Sequence, residues 1–193
     1  MIIGITGGTG CGKTTLLEVV KELGGTVLDC DAIYHRLLET DKALLGSIEK
    51  AFPGTVEAGT LNRKKLGKLV FADKQALQTL NKLTHGAVKA EVLRQLTPQP
   101  ALAAIDAIGL FESGLNKLCK LTIAVTAPES ARIARLTARD GISQEYALAR
   151  MQAQPADEVF SALCDYTLVN DSTEAVFREK CLAFFTELGI MKL

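Results

Sequence analysis

Residues Gly7-Gly8-Thr9-Gly10-Cys11-Gly12-Lys13-Thr14 fill every fixed position of the phosphate-binding pattern G-x-x-x-x-G-K-S/T. The pattern constrains the fold as well as the chemistry, because such a loop works only between a buried strand and the start of a helix. Both flanks are present. Ile2, Ile3 and Ile5 read as a buried strand, and Leu16, Val19, Val20 and Leu23 give the following helix one apolar face. Glycines let backbone N–H groups converge on phosphate oxygens, and the helix N-terminus adds about half a positive charge. Gly8, Thr9, Gly10, Cys11, Gly12, Lys13, Thr14 and Thr15 are therefore the expected contacts of a nucleoside triphosphate. Lys13 is expected on the β- and γ-phosphates, and the Thr14 hydroxyl on the Mg²⁺ that accompanies the nucleotide.

The length of 193 residues and the 48% hydrophobic content suit one well-buried core with excursions, not two ordinary domains. Twenty-two basic residues balance twenty-two acidic ones, so overall charge recruits neither nucleic acid nor an anionic membrane, and the expected partner is a small molecule. No basic leader precedes the first strand, and no apolar run approaches the ~18 to 20 residues of a membrane span. The expected location is the cytoplasm. Cysteines 11, 30, 119, 164 and 181 form no C-x-x-C pair and no metal-ligand cluster with His35 or His85, so they read as reduced and mostly buried thiols.

Further along, Gly24-Gly25 closes the first helix, and Thr26-Val27-Leu28 leads as a second strand into Asp29-Cys30-Asp31. Leu102 to Ile105, Leu121 to Val125 and Tyr166 to Val169 are further strand candidates. Helical segments separate them, as in a parallel α/β sheet, whose ligands gather at the carboxyl ends of the strands. Residues 33–96 favour helix, hold no convincing strand and read as a helical insertion. A second excursion, 128–160, opens at Pro128 and suits a lid. The expected fold is a three-layer α/β/α phosphate-loop domain with about five mostly parallel strands. Its core is 1–32, 97–127 and 161–193.

Several side chains fit phosphoryl transfer. Asp31, after the second strand, is the candidate base for an acceptor hydroxyl; a plainer account makes it or Asp29 a helix N-cap. Arg132, Arg135 and Arg139 fall at i, i+3 and i+7 on one helical face, with Arg150 across the turn Asp140-Gly141. A closing lid could place such arginines on the transferred phosphoryl group, whereas a solvated face would pair them with Glu129 and nearby acids. Arg63, in the basic cluster that opens at Asn62, is a candidate for acceptor phosphates. His85 has no catalytic neighbour in sequence and reads as structural or substrate-contacting. Cys11 sits at a helix N-terminus, a setting that lowers a thiol pKa, although this loop position can serve through its backbone alone. Asp106-Ala107-Ile108-Gly109 spells the D-x-x-G of nucleotide switches, but Asn81-Lys82-Leu83-Thr84 and Asn116-Lys117-Leu118-Cys119 both lack the aspartate that reads guanine.

Taken together, the loop, Asp29-x-Asp31, Leu61-Asn62-Arg63-Lys64-Lys65-Leu66, Leu83-Thr84-His85, Leu110-Phe111-Glu112, Arg135-Leu136, Arg139-Asp140-Gly141, Arg150, Gln154 and the pair Asp165 and Asn170 resemble dephospho-CoA kinase over nearly the whole chain. The resemblance implies transfer of the ATP γ-phosphate to the ribose 3′-hydroxyl of dephospho-CoA, the last step of coenzyme A synthesis. It implies Asp31, Lys13 and Arg139 as catalytic groups. Arg135 and Asn170 would lie on the nucleotide, Asn170 near adenine, and Arg63, His85, Leu110 and Glu112 toward the acceptor. ATP and Mg²⁺ are the implied cofactors, and a monomer or weak homo-oligomer the expected state. Departures from the family pattern include Cys11 for Ser, Gly86 for Pro, Ile108-Gly109 for Pro-Leu and Cys164 for Ala. A kinase of another small acceptor, such as a nucleoside monophosphate, and a non-enzymatic nucleotide switch are the rival readings.

Overall fold

Alternating apolar strands and amphipathic helices give, in chain order, β1 (Ile2–Thr6), α1 (Lys13–Glu22), β2 (Thr26–Asp29), α2 (Cys30–Thr40), α3 (Lys42–Ala51), β3 (Val56–Glu57), β4 (Thr60–Leu61), α4 (Arg63–Ala72), α5 (Lys74–Gln95), β5 (Ala103–Asp106), β6 (Leu121–Thr126), α6 (Glu129–Asp140), α7 (Gln144–Gln152), α8 (Asp157–Leu163), β7 (Tyr166–Val169) and α9 (Glu174–Glu187). A short 3₁₀ turn at Leu115–Leu118 precedes β6. The computed structural model describes residues 1–190, the side chain of Phe71 excepted. Residues 191–193 of the core segment assigned above lie outside the described residues.

Five of the strands form one sheet in the order β2-β5-β1-β6-β7, and β3 and β4 form a separate pair. The pairs β1–β5, β1–β6 and β6–β7 are parallel, with Ile5 opposite both Asp106 and Ile123. The carboxyl end of β1, where the loop begins, therefore lies between two other strand ends. The chain divides into two compact units, Met1–Val27 with residues from Gln99 onward, and Leu28–Pro98.

In the first unit Ile3 and Ile5 are fully buried, as an inner strand covered on both faces demands. On one face α1 packs through Leu16, Val19 and Val20 with Phe177, Cys181 and Phe185 of α9. Full burial of side chains this size is worth about 1.5–3 kcal/mol each, so these residues anchor α1 and the loop that precedes it. The end of α1 is closed as its glycines require. Gly24 takes a φ of +77°, its N–H donates to the Lys21 carbonyl, and the Gly25 N–H reaches the Val20 carbonyl at 2.8 Å. A smaller cluster of Leu136, Ala147 and Met151 joins α6 to α7.

In the second unit α5 is the common packing partner of α2, α3 and α4. Its Leu80, Val88 and Val92 are buried, as are Ile33, Leu37, Leu44, Ile48 and Leu66 of the surrounding helices. Helix starts are set by side-chain caps, with Asp41 accepting from Ala43 and Leu44, Asn62 from Lys65, and Asp73 from Gln75.

Two sequence expectations are corrected. Segment 33–96 does hold strands, since Val56–Glu57 and Thr60–Leu61 pair antiparallel across the turn at Ala58-Gly59. Two-residue strands carry too little alternation to stand out from a turn. The strand expected at 102–105 runs from Ala103 to Asp106, one residue later, although the Leu102 carbonyl still accepts from the Thr26 N–H at 3.0 Å.

Candidate active site

The phosphate loop is shaped by glycines and then held by side chains. Gly12 caps α1 at φ +98°, a left-handed conformation that any side chain resists; a Cβ there would also stand 2.1 Å from the Asn170 amide nitrogen. Four loop carbonyls accept hydrogen bonds from side chains. Lys13 Nζ folds back to the Gly7 carbonyl at 2.8 Å, and Arg132 Nε donates to the Thr9 carbonyl at 2.9 Å. Arg135 donates through one nitrogen to the carbonyls of Gly10 and Cys11, at 3.3 and 3.4 Å. Asn170 Nδ2 donates to the Cys11 carbonyl at 3.0 Å, while its Oδ1 accepts from Arg135 at 3.0 Å. The negative ends of these loop dipoles are thus occupied, and in the first turn of α1 the Thr15 N–H donates to the Gly12 carbonyl at 3.2 Å, while a helix start leaves its first N–H groups without intrahelical acceptors. Their positive ends are what the loop offers an anion. Thr14, in that turn, is exposed, and Thr15 is buried.

The arginines on α6 divide. Arg132 does not lie on a solvated face, one of the two alternatives that the sequence pattern left open, but is buried, 6% exposed and paired with Asp157 at 2.8 Å. Arg135 is bound into the loop as above. Arg139, by contrast, lies exposed at the helix end and forms a two-point ion pair with Asp140, which Arg150 also reaches at 2.7 Å. The hydrogen bond from Arg139, and then that from Arg150, hold the Asp140 carboxyl down at about 2. Neither set of arginines pairs with Glu129, the acid suggested by its position in the sequence.

In the first unit the remaining sequence candidates follow β5. Leu110 is completely buried, close enough to Gly4 that a Cβ there would meet it at 2.8 Å. Its side chain is a core group of the first unit. Glu112, two residues on, is exposed. Cys11 is 1% exposed, and burial pushes its thiol pKa up despite the opposing charge of Lys13. Desolvation at this position outweighs the helix N-terminus, so the pKa moves opposite to the direction expected for a redox-active thiol.

In the second unit Asp29 and Asp31 have different settings. Asp29 is the N-cap of α2, its carboxylate accepting from the Ala32 N–H at 2.9 Å. Asp31 lies exposed in the first turn, with no hydrogen bond or ion pair among the described residues. The capping role therefore falls to Asp29 alone. Arg63 is the first residue of α4 and meets Glu39 at 3.2 Å across exposed surface. His85 sits half-buried in the middle of α5, likewise without a partner among the described residues.

Sequence reasoning missed Asp157 and the use made of Gln154, whose Oε1 accepts from the Thr9 N–H at 2.7 Å. No local signal could have found them, because their partners lie 25 and 145 residues away.

A parallel sheet with a G-x-x-x-x-G-K-T loop at the end of an inner strand, braced by arginines from a following helical segment, defines a phosphate-loop kinase. The sequence pattern of the dephospho-CoA kinase family matches residues 1–175. A dephospho-CoA kinase of Dehalococcoides mccartyi is 40% identical over 162 residues, 81% of each chain. Among solved structures, a Thermus thermophilus protein superposes with a TM-score of 0.80 at 33% identity, covering 97% of both chains. The dephospho-CoA kinase of Campylobacter jejuni does so at 0.67 with 28% identity, covering 98% of both. The chain belongs to the dephospho-CoA kinase family, and it is an ATP-dependent phosphotransferase acting on a hydroxyl group.

Proposed function

We propose a division of labour for the reaction this chain catalyses, transfer of the ATP γ-phosphate to the ribose 3′-hydroxyl of dephospho-CoA. The observation that carries it is the phosphate loop at the N-terminus of α1, with its carbonyls engaged by Lys13, Arg132 and Arg135. Lys13 exchanges its contact with the Gly7 carbonyl for phosphate oxygens, a short movement for a flexible side chain. Arg139 leaves Asp140 for the transferred phosphoryl group, and Arg135 with Asn170 shapes the nucleotide end. Asp31, unencumbered by capping, accepts the proton of the 3′-hydroxyl as the bond to phosphorus forms. Arg63, His85 and Glu112 serve the acceptor. We assign segment 33–96 to acceptor binding and 128–160 to the lid.

Among the described residues no cluster of three His, Cys, Asp or Glu could hold a metal by itself. Mg²⁺ therefore fits as an ion carried in on the nucleotide, with the exposed Thr14 hydroxyl as its protein ligand. It supplies neutralisation of charge on the β- and γ-phosphates. No helix among the described residues is long and apolar enough to cross a membrane. Together with the balanced charge, this supports a cytoplasmic enzyme without nucleic-acid partners, working as a monomer or weak homo-oligomer.

The test is ADP release from Mg²⁺-ATP with dephospho-CoA, beside AMP, GMP and CMP as alternative acceptors. Stimulation by dephospho-CoA with a 3′-phosphorylated product by mass supports the reading; stimulation by another acceptor alone overturns the substrate. Asp31→Asn should keep ATP binding and lower acceptor-dependent turnover by about 10² or more. Near-normal turnover would remove Asp31 from the role of base.

A further inference from the structure

Thr9 lies between Gly8 and Gly10, and the local backbone gives its peptide groups only one long bond, from the Cys11 N–H to the Gly8 carbonyl at 3.4 Å. The shorter bonds come from outside the loop. The Thr9 N–H donates to Gln154, and the Thr9 carbonyl accepts from Arg132 Nε at 2.9 Å. Arg132 does not reach the loop from a free surface. Its side chain is 7% exposed, and another of its nitrogens donates to Asp157 Oδ1 at 2.8 Å. The second oxygen of Asp157 accepts from the Ala127 N–H at 3.3 Å, immediately after β6, the strand that neighbours β1. The remaining guanidinium NH2 is buried without an acceptor against Gly8, where a Cβ would stand 2.2 Å from it.

A chain of contacts thus runs from the end of β6 through Asp157 and Arg132 to Thr9. Packing does not substitute for it, because a cavity of about 530 Å³ opens beside it, lined by Arg132, Gln154 and Asp157 together with Pro128 and Met151. A buried arginine with one unsatisfied NH2, paired to a half-buried aspartate, is an expensive way to fill this place if filling it were its only use.

We infer that Arg132 and Asp157 are positioning residues that hold the phosphate loop in its nucleotide-binding shape before ATP arrives. They act through Thr9, not by touching the reacting atoms. The glycine-flanked segment is ordered in advance, so ATP binds without having to order it.

The inference rests on reading Gly7–Thr14 as the ATP site, and its test separates the two. ATP binding is measured by calorimetry without acceptor, on wild type, Asp157→Ala and Arg132→Lys, each checked for cooperative unfolding. Lysine keeps the charge but has no fork with which to serve Thr9 and Asp157 together. Both variants should bind ATP about tenfold more weakly, with KM for dephospho-CoA unchanged. The direction is diagnostic, because removing the Asp157 charge beside the loop should tighten ATP if only electrostatics mattered. A merely structural role would lower the melting temperature and leave the dissociation constant of the folded fraction unchanged. ATP affinity equal to or tighter than wild type in a folded variant overturns the inference. If Asp157→Ala does not fold, Arg132→Lys decides alone. Failure of the wild type to bind ATP would instead overturn the nucleotide-site reading.

Discussion

Four arginines in segment 128–160 form two settings that the sequence pattern does not distinguish. At the root of α6, Arg132 and Arg135 are spent on the phosphate loop, holding the carbonyls of Thr9, Gly10 and Cys11. At the far end, Arg139 and Arg150 share Asp140, with side chains 61% and 40% exposed. A guanidinium bound into backbone carbonyls, and in Arg132 also to the half-buried Asp157, is a fixture, since releasing it strands several groups at once. One held by a single exposed carboxylate is cheap to release, because exposed ion pairs contribute little and salt screens them. One face of α6 therefore carries both arginines fixed to the phosphate loop and one that is cheap to release.

The sharpest way to break this comparison is to truncate one member of each pair. Arg139→Ala should leave the melting temperature and ATP affinity close to wild type while lowering kcat by about 10³, the scale on which an arginine acting on a transferred phosphoryl group operates. If Arg150→Ala shows that loss instead, the recruited group is Arg150 and the comparison stands. If neither does, the exposed pair carries no phosphoryl-stabilising arginine.

The counterpart, Arg135→Ala, removes the donor to the Gly10 and Cys11 carbonyls and to Asn170 Oδ1. Hydrogen bonds from a charged donor are worth about 1.5–3 kcal/mol, so ATP affinity should fall roughly 10- to 100-fold and the melting temperature should drop. Calorimetry and thermal unfolding check both. A kcat defect with normal ATP affinity would place Arg135 with Arg139 and erase the division.

The split was illegible in the sequence for a definite reason. Periodicity put Arg132, Arg135 and Arg139 on one face, but the first two meet residues that the fold brings near, Asp157 for Arg132 and Asn170 for Arg135, whereas Arg139 meets its neighbour in sequence, Asp140. The strand, loop and helix at the N-terminus were legible because their signal is local, a fixed glycine spacing between two apolar patterns. The parallel sheet was legible from alternation. The β3–β4 hairpin was not, because two-residue strands beside Gly59 look like turn alone. Asp29 and Asp31 show the same limit at short range. Both types and positions suit an N-cap, and only the backbone geometry gives the cap to Asp29.

A finer test reads the looser setting through Asp140. Its carboxyl, held down at about 2 by Arg139 and Arg150, is depressed from its ordinary value near 3.8. A depressed acid stabilises the folded state above its unfolded pKa, and that contribution is lost as pH falls toward the folded value. Following the Asp140 carboxyl carbon by NMR should give a midpoint near 2 in wild type and one moved toward the ordinary value in Arg139→Ala. A midpoint near 4 in wild type would mean that Arg139 and Arg150 are not engaged with Asp140 in solution.

The smallest expected effect concerns Cys11, inside the tighter setting. Its carbonyl serves Arg135 and Asn170, whereas its thiol is buried and its pKa raised. If the loop uses only the backbone here, Cys11→Ser should change ATP affinity by no more than about threefold, because a hydroxyl of similar size leaves every carbonyl contact in place. Thiol labelling followed by peptide mass should find Cys11 slower than a free model thiol, with or without ATP, since burial reduces both access and thiolate. Labelling at the model rate in the absence of ATP and protection in its presence would mean that the loop opens at rest. The frame around Arg135 would then form only with the nucleotide, and the two ends of α6 would differ less in solution than their contacts imply.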